Sequence, residues 1–153
     1  GLYKNLGEKL NPHITSLRLD YRIPNDLIEC VMDTLAAVSF LVGTGHQDLI
    51  LVGHSFGGAV VIKSASFSDQ VKSVIALASQ TAGATEANLV TPRSLLLIHG
   101  DEDIVLSPLC SQTIYDWAEE PKEFFLLSGA GHSFRETEQE LTEKVEQWIR
   151  NVL

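Results

Sequence analysis

The chain has 153 residues, of which 44% are hydrophobic and 20% charged, and this composition predicts a single folded domain over residues 1–153. The net charge of −9 argues against binding to nucleic acid or to an anionic membrane surface, because both need clustered Lys and Arg. No apolar run reaches the roughly 20 residues of a membrane span, and no signal peptide is visible, so the sequence predicts a cytoplasmic protein.

Strand-like and helix-like segments alternate along the chain. This alternation predicts an α/β fold with a mostly parallel sheet of about five strands and helices on both faces. Residues 1–10 predict a helix because leucines recur on one face, and residues 14–21 predict the first strand. The later predicted elements are helices at 24–42, 56–66, 108–118 and from 137 onward, and strands at 49–52, 71–78, 95–99 and 123–127.

The most informative stretch is Gly53-His54-Ser55-Phe56-Gly57, which lies between a predicted apolar strand and a predicted helix. A Gly-x-Ser-x-Gly run in this setting is typical of a nucleophile elbow, a tight turn that projects the serine hydroxyl above the sheet. Glycine is needed two positions to either side because a Cβ there would collide with the turn. The alternatives are a loop serine or a phosphate-binding loop, although the lysine of a P-loop is absent.

Two further polar clusters follow predicted strands, and they contain Asp103 and His132. A serine hydroxyl is a poor nucleophile until a base within hydrogen-bond reach removes its proton. An imidazole can take that proton and later give it to the leaving group, while a carboxylate holds the other ring N–H. We therefore predict Ser55 as nucleophile, His132 as general base and acid, and Asp103 as the orienting carboxylate. Asp101 and Glu102 are alternative carboxylates, and an aspartate that only caps a helix is the structural alternative.

These motifs resemble those of the α/β-hydrolase family, in which serine, acid and histidine occur in this chain order, each just past a strand. The family pattern His-Gly-x-x-Asp falls on residues 99–103, and Gly-x-Gly-His falls on residues 129–132. The chain looks most similar to the small uncapped esterases and dienelactone-hydrolase-like proteins. The resemblance implies a serine hydrolase that cleaves a small carboxylic ester or thioester. The short connection at 79–91 predicts an open site without a cap domain.

The resemblance also implies an oxyanion hole made of two backbone N–H groups. One would belong to Phe56, at the start of the helix after the nucleophile. The second should come from a loop after the third strand of relatives, and no such loop is visible, so the chain is expected to be an N-terminally truncated core. Loss of that third strand would leave a gap in the sheet unless the predicted strand at 14–20 pairs directly with the predicted strand at 49–52. Exposed sheet edges would favour self-association.

The remaining histidines and the cysteines carry weaker predictions. His13 and His46 are expected to be exposed, His54 to face away from the serine, and His99 to have a backbone-bonded structural role. Cys30 and Cys110 are far apart in the sequence and form no Cys-x-x-Cys motif. Because neither the thiols nor the histidines occur at the spacing of metal ligands, we expect no metal and no cofactor. Besides hydrolysis, a non-catalytic interaction module and a nucleotide-binding domain stay open as alternatives.

Overall fold

The computed structural model describes residues 1–12 and 14–153, so the prediction for His13 lies outside the described residues. The described chain forms five α-helices and four β-strands. The helices are α1 (Leu2–Leu10), α2 (Leu27–Gly43), α3 (Phe56–Ser64), α4 (Leu109–Trp117) and α5 (Glu138–Val152). The strands are β1 (Leu49–His54), β2 (Val71–Leu77), β3 (Ser94–Gly100) and β4 (Lys122–Leu127). Short 3₁₀-helices are found at Ala65–Phe67, Ala87–Leu89 and Arg135–Thr137.

All four strands are parallel and lie in the order β1-β2-β3-β4. The two central strands are buried on both faces, and Lys72 is the one exposed residue of β2. Such strands need near-continuous apolar sequence, which explains the runs of Val, Ile and Leu in β2 and β3. Helices α2, α3 and α4 pack on one face of the sheet and α1 and α5 on the other. The predicted α/β fold with helices on both faces is therefore confirmed.

The sheet has four described strands instead of about five, because residues 14–21 pair with no strand in the part of the chain that the structure describes. A strand requires hydrogen bonds to a neighbour, and apolar alternation alone does not provide one. Leu17 and Leu19 in this segment remain exposed. The expectation that 14–20 could pair directly with β1 is wrong, since β1 pairs with β2 alone among the described strands.

A groove of about 430 Å³ follows the open edge of β1. Its walls come from α1, residues 14–19, α2 and β1 itself. At the carboxyl end of this edge, the backbone N–H of His54 donates to the Tyr3 hydroxyl over 2.6 Å. A side chain therefore satisfies a backbone group that a neighbouring strand would otherwise bind.

Among the described helices, none combines the length and the apolar character that crossing a membrane would require.

Candidate active site

The predicted elbow lies at the junction of β1 and α3, and Ser55 occupies it with φ 58° and ψ −117°. A positive φ is unfavourable for a residue with a side chain and costs about 1–3 kcal/mol, so the surrounding structure must enforce it. Gly53 allows the tight turn, because a Cβ at this position would lie 2.0 Å from the Gly57 carbonyl oxygen. The strand before and the helix after thus force the Ser55 side chain out at the carboxyl edge of the sheet.

The structure brings Ser55, His132 and Asp103 together in one hydrogen-bonded series. The His132 Nε2 lies 3.1 Å from the Ser55 Oγ, and the His132 Nδ1 lies 2.7 Å from the Asp103 Oδ2. A carboxylate can only accept, so Nδ1 carries the ring proton and Nε2 is free to accept the serine hydroxyl proton. This is the geometry that a base-activated nucleophile requires.

Asp103 is buried at the carboxyl end of β3 and accepts several hydrogen bonds. Its Oδ1 accepts from the backbone N–H groups of Val105 and Leu106, each over 2.8 Å. Burial would by itself raise the pKa of Asp103, but the hydrogen bonds from Leu106, His132 and Val105 and the charge of His132 together lower it. The lowered pKa keeps this carboxylate charged next to His132 across the neutral range.

The rival carboxylates do not contact His132 among the described hydrogen bonds. Asp101 instead accepts the backbone N–H of Gly129 over 2.8 Å and thereby holds the start of the loop that carries His132. Glu102 is exposed. Their positions leave Asp103 as the carboxylate that reaches the imidazole.

His99 lies beneath the same carboxylate and is fully buried. Its Nε2 donates to the Asp103 Oδ2 over 3.1 Å and to the Leu106 carbonyl over 3.0 Å. Its Nδ1 lies 2.7 Å from the Ser111 Oγ of helix α4. The predicted backbone-bonded role agrees with the Leu106 contact, but the hydrogen bond from His99 to Asp103 was not predicted. The four-residue spacing within the His-Gly-x-x-Asp pattern was the available signal.

The ring of His54, which was expected to face away from the serine, lies against His132, with the ring centroids 4.8 Å apart. Its Nε2 is 2.7 Å from the His132 carbonyl oxygen. Burial is the largest cause of a lowered pKa at His54, to which the charges of His132 and His99 add. His46, expected to be exposed, is half-buried and lies 3.3 Å from the Leu41 carbonyl oxygen through its Nδ1.

The side of the elbow that faces the groove carries two tyrosine hydroxyls. A Cβ built on Gly57 would lie 3.0 Å from the Tyr3 hydroxyl and 3.8 Å from the Tyr21 hydroxyl. Burial raises the pKa of Tyr3, and it raises the pKa of Tyr21 to about 12. Both side chains therefore keep their O–H protons at neutral pH. The Phe56 N–H, the first in α3, belongs to the amides that have no partner within a helix.

Apolar side chains are exposed just past Asp103. Ile104, Val105 and Leu109 are 97%, 66% and 71% exposed, which is unusual for three apolar residues so close in the chain. The connection at 79–91 contains one short 3₁₀-helix among its described residues, so no domain covers this edge from there. The described residues contain no cluster of His, Cys, Asp and Glu that could hold a metal ion.

Neither a protein-family model nor a curated protein sequence matches this chain. Solved structures do match. Dienelactone hydrolase from Anabaena variabilis superimposes with a TM-score of 0.78 at 18% identity, over 86% of this chain and 63% of that chain. The esterase domain of a Rhodothermus marinus protein gives 0.73 at 22% identity, over 79% and 68%. Est1E from Butyrivibrio proteoclasticus gives 0.68 at 17% identity, over 82% and 70%.

The chain has the α/β-hydrolase fold. It covers between 61% and 74% of the length of these three structures and of two further matching hydrolase structures. At these levels of identity the similarity describes the course of the backbone, and the chemistry must be argued from the site.

The turn geometry yields a stability prediction for Gly53. We expect Gly53→Ala to lower the free energy of unfolding by at least about 1 kcal/mol, because the new Cβ would collide with main-chain atoms of Gly57 and Gly58. Gly43→Ala is the matched control, since nothing lies within 4 Å of a Cβ there. Denaturant unfolding of both variants measures the difference. Equal stabilities of the two variants would contradict the steric account of the elbow.

Proposed function

We propose that this chain is the core of a serine hydrolase that cleaves a small carboxylic ester or thioester through an acyl-enzyme. The observation that carries the proposal is the continuous series from the Ser55 Oγ to the His132 imidazole, 3.1 Å, and on to the Asp103 carboxylate, 2.7 Å. Support for the reaction class comes from structures with the same fold that are described as esterases, a serine hydrolase homologue and a dienelactone hydrolase.

In the proposed reaction, the Ser55 Oγ attacks the carbonyl carbon of the ester while His132 takes the hydroxyl proton at Nε2. The carbonyl oxygen becomes negatively charged, and the Phe56 N–H donates a hydrogen bond to it. When the tetrahedral intermediate collapses, the bond to the alcohol oxygen breaks and His132 returns its proton to that oxygen. The acyl group is then esterified to Ser55.

Deacylation repeats these steps with water as the nucleophile. His132 removes a proton from water, the hydroxide adds to the acyl carbon, and the proton returns to the Ser55 Oγ as the carboxylic acid leaves. Asp103 stays ionised throughout and stabilises the imidazolium that forms twice in each turnover. Its lowered pKa suits this role, because no step requires it to accept a proton.

We propose a small, partly apolar ester as the substrate, with no part for nucleic acid or membrane, in keeping with the net charge of −9. The open carboxyl edge of the sheet has no cap from the 79–91 connection. The exposed side chains of Ile104, Val105 and Leu109 would offer apolar contacts next to Asp103. The Est1E structure with ferulic acid bound is consistent with a site of this fold that holds a carboxylic acid.

A second candidate function is a non-catalytic interaction module that self-associates through its sheet edges. The observation that favours it is the open edge of β1 with the adjacent groove of about 430 Å³. Unpaired edges of this kind offer N–H and C=O groups to another chain.

Labelling with a fluorophosphonate probe separates the two candidates. We expect the native chain to react at one serine and Ser55→Ala to react at none, because the probe needs a serine hydroxyl that a base activates. Ser66→Ala, an exposed serine away from the site, is the matched control and should be labelled like the native chain. Absence of labelling in a folded chain that sediments as an oligomer would favour the interaction module.

Asp103 and Asp101 provide a matched pair of substitutions. We expect Asp103→Asn to slow turnover about 10⁴-fold with the fold intact, because an amide favours the wrong tautomer of His132 but its oxygen still accepts from Val105 and Leu106. Asp101→Asn keeps an acceptor for the Gly129 N–H and should cost little. Initial rates with p-nitrophenyl acetate measure both, and the reverse order of losses would assign the role to Asp101.

The pH dependence of the proposed reaction follows from the chemistry of a histidine base and an ionised aspartate. A histidine acts as a base only in its neutral form, so kcat/KM should be lower in acid than at neutral pH. Because the pKa of Asp103 is lowered, this carboxylate stays charged in mild acid and does not cause that loss. Initial rates measured over a series of pH values test this, and a kcat/KM that does not fall on acidification would contradict a histidine base.

A further inference from the structure

The hydrogen bond between His132 and Ser55 joins two elements at opposite edges of the sheet. Ser55 follows β1, His132 follows β4, and β2 and β3 lie between them. Three strand spacings separate the two edges by about 14 Å, so the loop after β4 must reach back across the carboxyl edge of the sheet. Something other than the reacting groups has to keep that loop in place.

Several contacts hold the loop on its β4 side. Asp101 accepts the Gly129 N–H over 2.8 Å, and Glu136 accepts the Gly131 N–H over 3.2 Å. Asp103 binds the His132 ring from the end of β3. None of these three contacts reaches β1, the strand that carries the nucleophile.

His54 provides a contact that does reach across. It is the last residue of β1 and directly precedes Ser55. A carbonyl oxygen accepts only, so the His54 Nε2 carries a proton and donates it to the His132 carbonyl over 2.7 Å. On its other side, the His54 backbone N–H donates to the Tyr3 hydroxyl.

Packing reinforces this hydrogen bond. The His54 ring contacts the His132 ring at 4.8 Å between centroids and meets the ring of Phe134 edge-on at 6.2 Å. Phe134 is fully buried and adopts a positive φ of 56°, so its position is strongly constrained. The His54 side chain thus fills the space between the end of β1 and the loop.

We propose that His54 is a positioning residue, which holds His132 within reach of Ser55 through the Nε2–H hydrogen bond to the His132 carbonyl. This inference rests on the proposed function. When His132 takes the serine proton, the hydrogen bond between those two groups changes its donor, whereas the bond from His54 to the backbone stays the same. His54 therefore keeps the distance between nucleophile and base constant while the proton moves, which preserves the orientation that catalysis depends on.

The lowered pKa of His54 is consistent with this role, since it keeps the ring neutral next to a base that becomes positively charged.

Two substitutions at position 54 separate the hydrogen bond from the packing. His54→Phe keeps an aromatic ring against His132 and Phe134 but has no donor. His54→Gln has a side-chain amide that can donate to the same carbonyl. His46→Phe is the matched control, because His46 also lies near a backbone carbonyl but precedes β1, at the opposite end of that strand from the elbow.

We expect fluorophosphonate labelling of His54→Phe to be at least ten-fold slower than that of the native chain, and His54→Gln to recover most of the rate. With an ester substrate, kcat should fall in His54→Phe while KM and the melting temperature change little. His46→Phe should be labelled at the native rate. Native labelling rates in His54→Phe, or equal losses in the Phe and Gln variants, would overturn the positioning role and leave the proposed hydrolase intact.

A second measurement does not depend on activity. Proton NMR detects the imidazole N–H that His132 shares with Asp103, and its exchange with water reports how firmly the ring is held. We expect faster exchange in His54→Phe and near-native exchange in His54→Gln. If the folded native chain resists labelling, the proposed hydrolase fails, and this signal still decides the positioning role: unchanged exchange in His54→Phe would overturn it.

Discussion

Steric crowding in the tight turn between β1 and α3 determines where the Ser55 hydroxyl lies. Gly53 leaves room for the Gly57 carbonyl, and Ser55 is forced into a positive φ between them. Because this turn lies at the carboxyl end of a parallel strand, the serine hydroxyl emerges at the edge where the other strands also end. Loops after β3 and β4 can then approach it, which is why a parallel sheet places distant polar residues close together.

The electrostatic arrangement at this edge is built around Asp103. Its carboxylate is out of contact with bulk water but receives two backbone N–H groups and two histidines. Removing a charge from water is unfavourable unless hydrogen bonds replace the lost hydration, and here they outweigh that cost. A fixed negative charge next to His132 is what an imidazole needs if it is to become positively charged during the proposed reaction.

Local sequence patterns were enough for much of the fold. The runs of β-branched and leucine residues in β2 and β3 predicted buried strands, and the glycines around Ser55 predicted the elbow. The segment at 14–21 was predicted as a strand from its own residues, but a strand also depends on a partner, and the described chain contains none beside it. Pairing is a non-local property that alternation cannot reveal.

The same limit applies to the site, where motifs were visible in the sequence but contacts between distant residues were not. The order of Ser55, Asp103 and His132 was visible in the motifs, and the structure brings the three together. The contact of His54 was missed because it joins residues 78 positions apart through a backbone carbonyl, a group that every residue has. No pattern of residue types could have identified that acceptor.

In the proposed reaction, His132 activates the Ser55 hydroxyl, and the Phe56 amide binds the oxygen of the carbonyl group that Ser55 attacks. A crystal structure of the chain after reaction with a small alkyl fluorophosphonate would examine all three groups at once. We expect phosphorus bonded to the Ser55 Oγ, the phosphoryl oxygen accepting a hydrogen bond from the Phe56 N–H, and His132 still bound to Asp103. Phosphorus on a different residue, or a phosphoryl oxygen that points away from Phe56 with His132 displaced, would show that these groups do not act together.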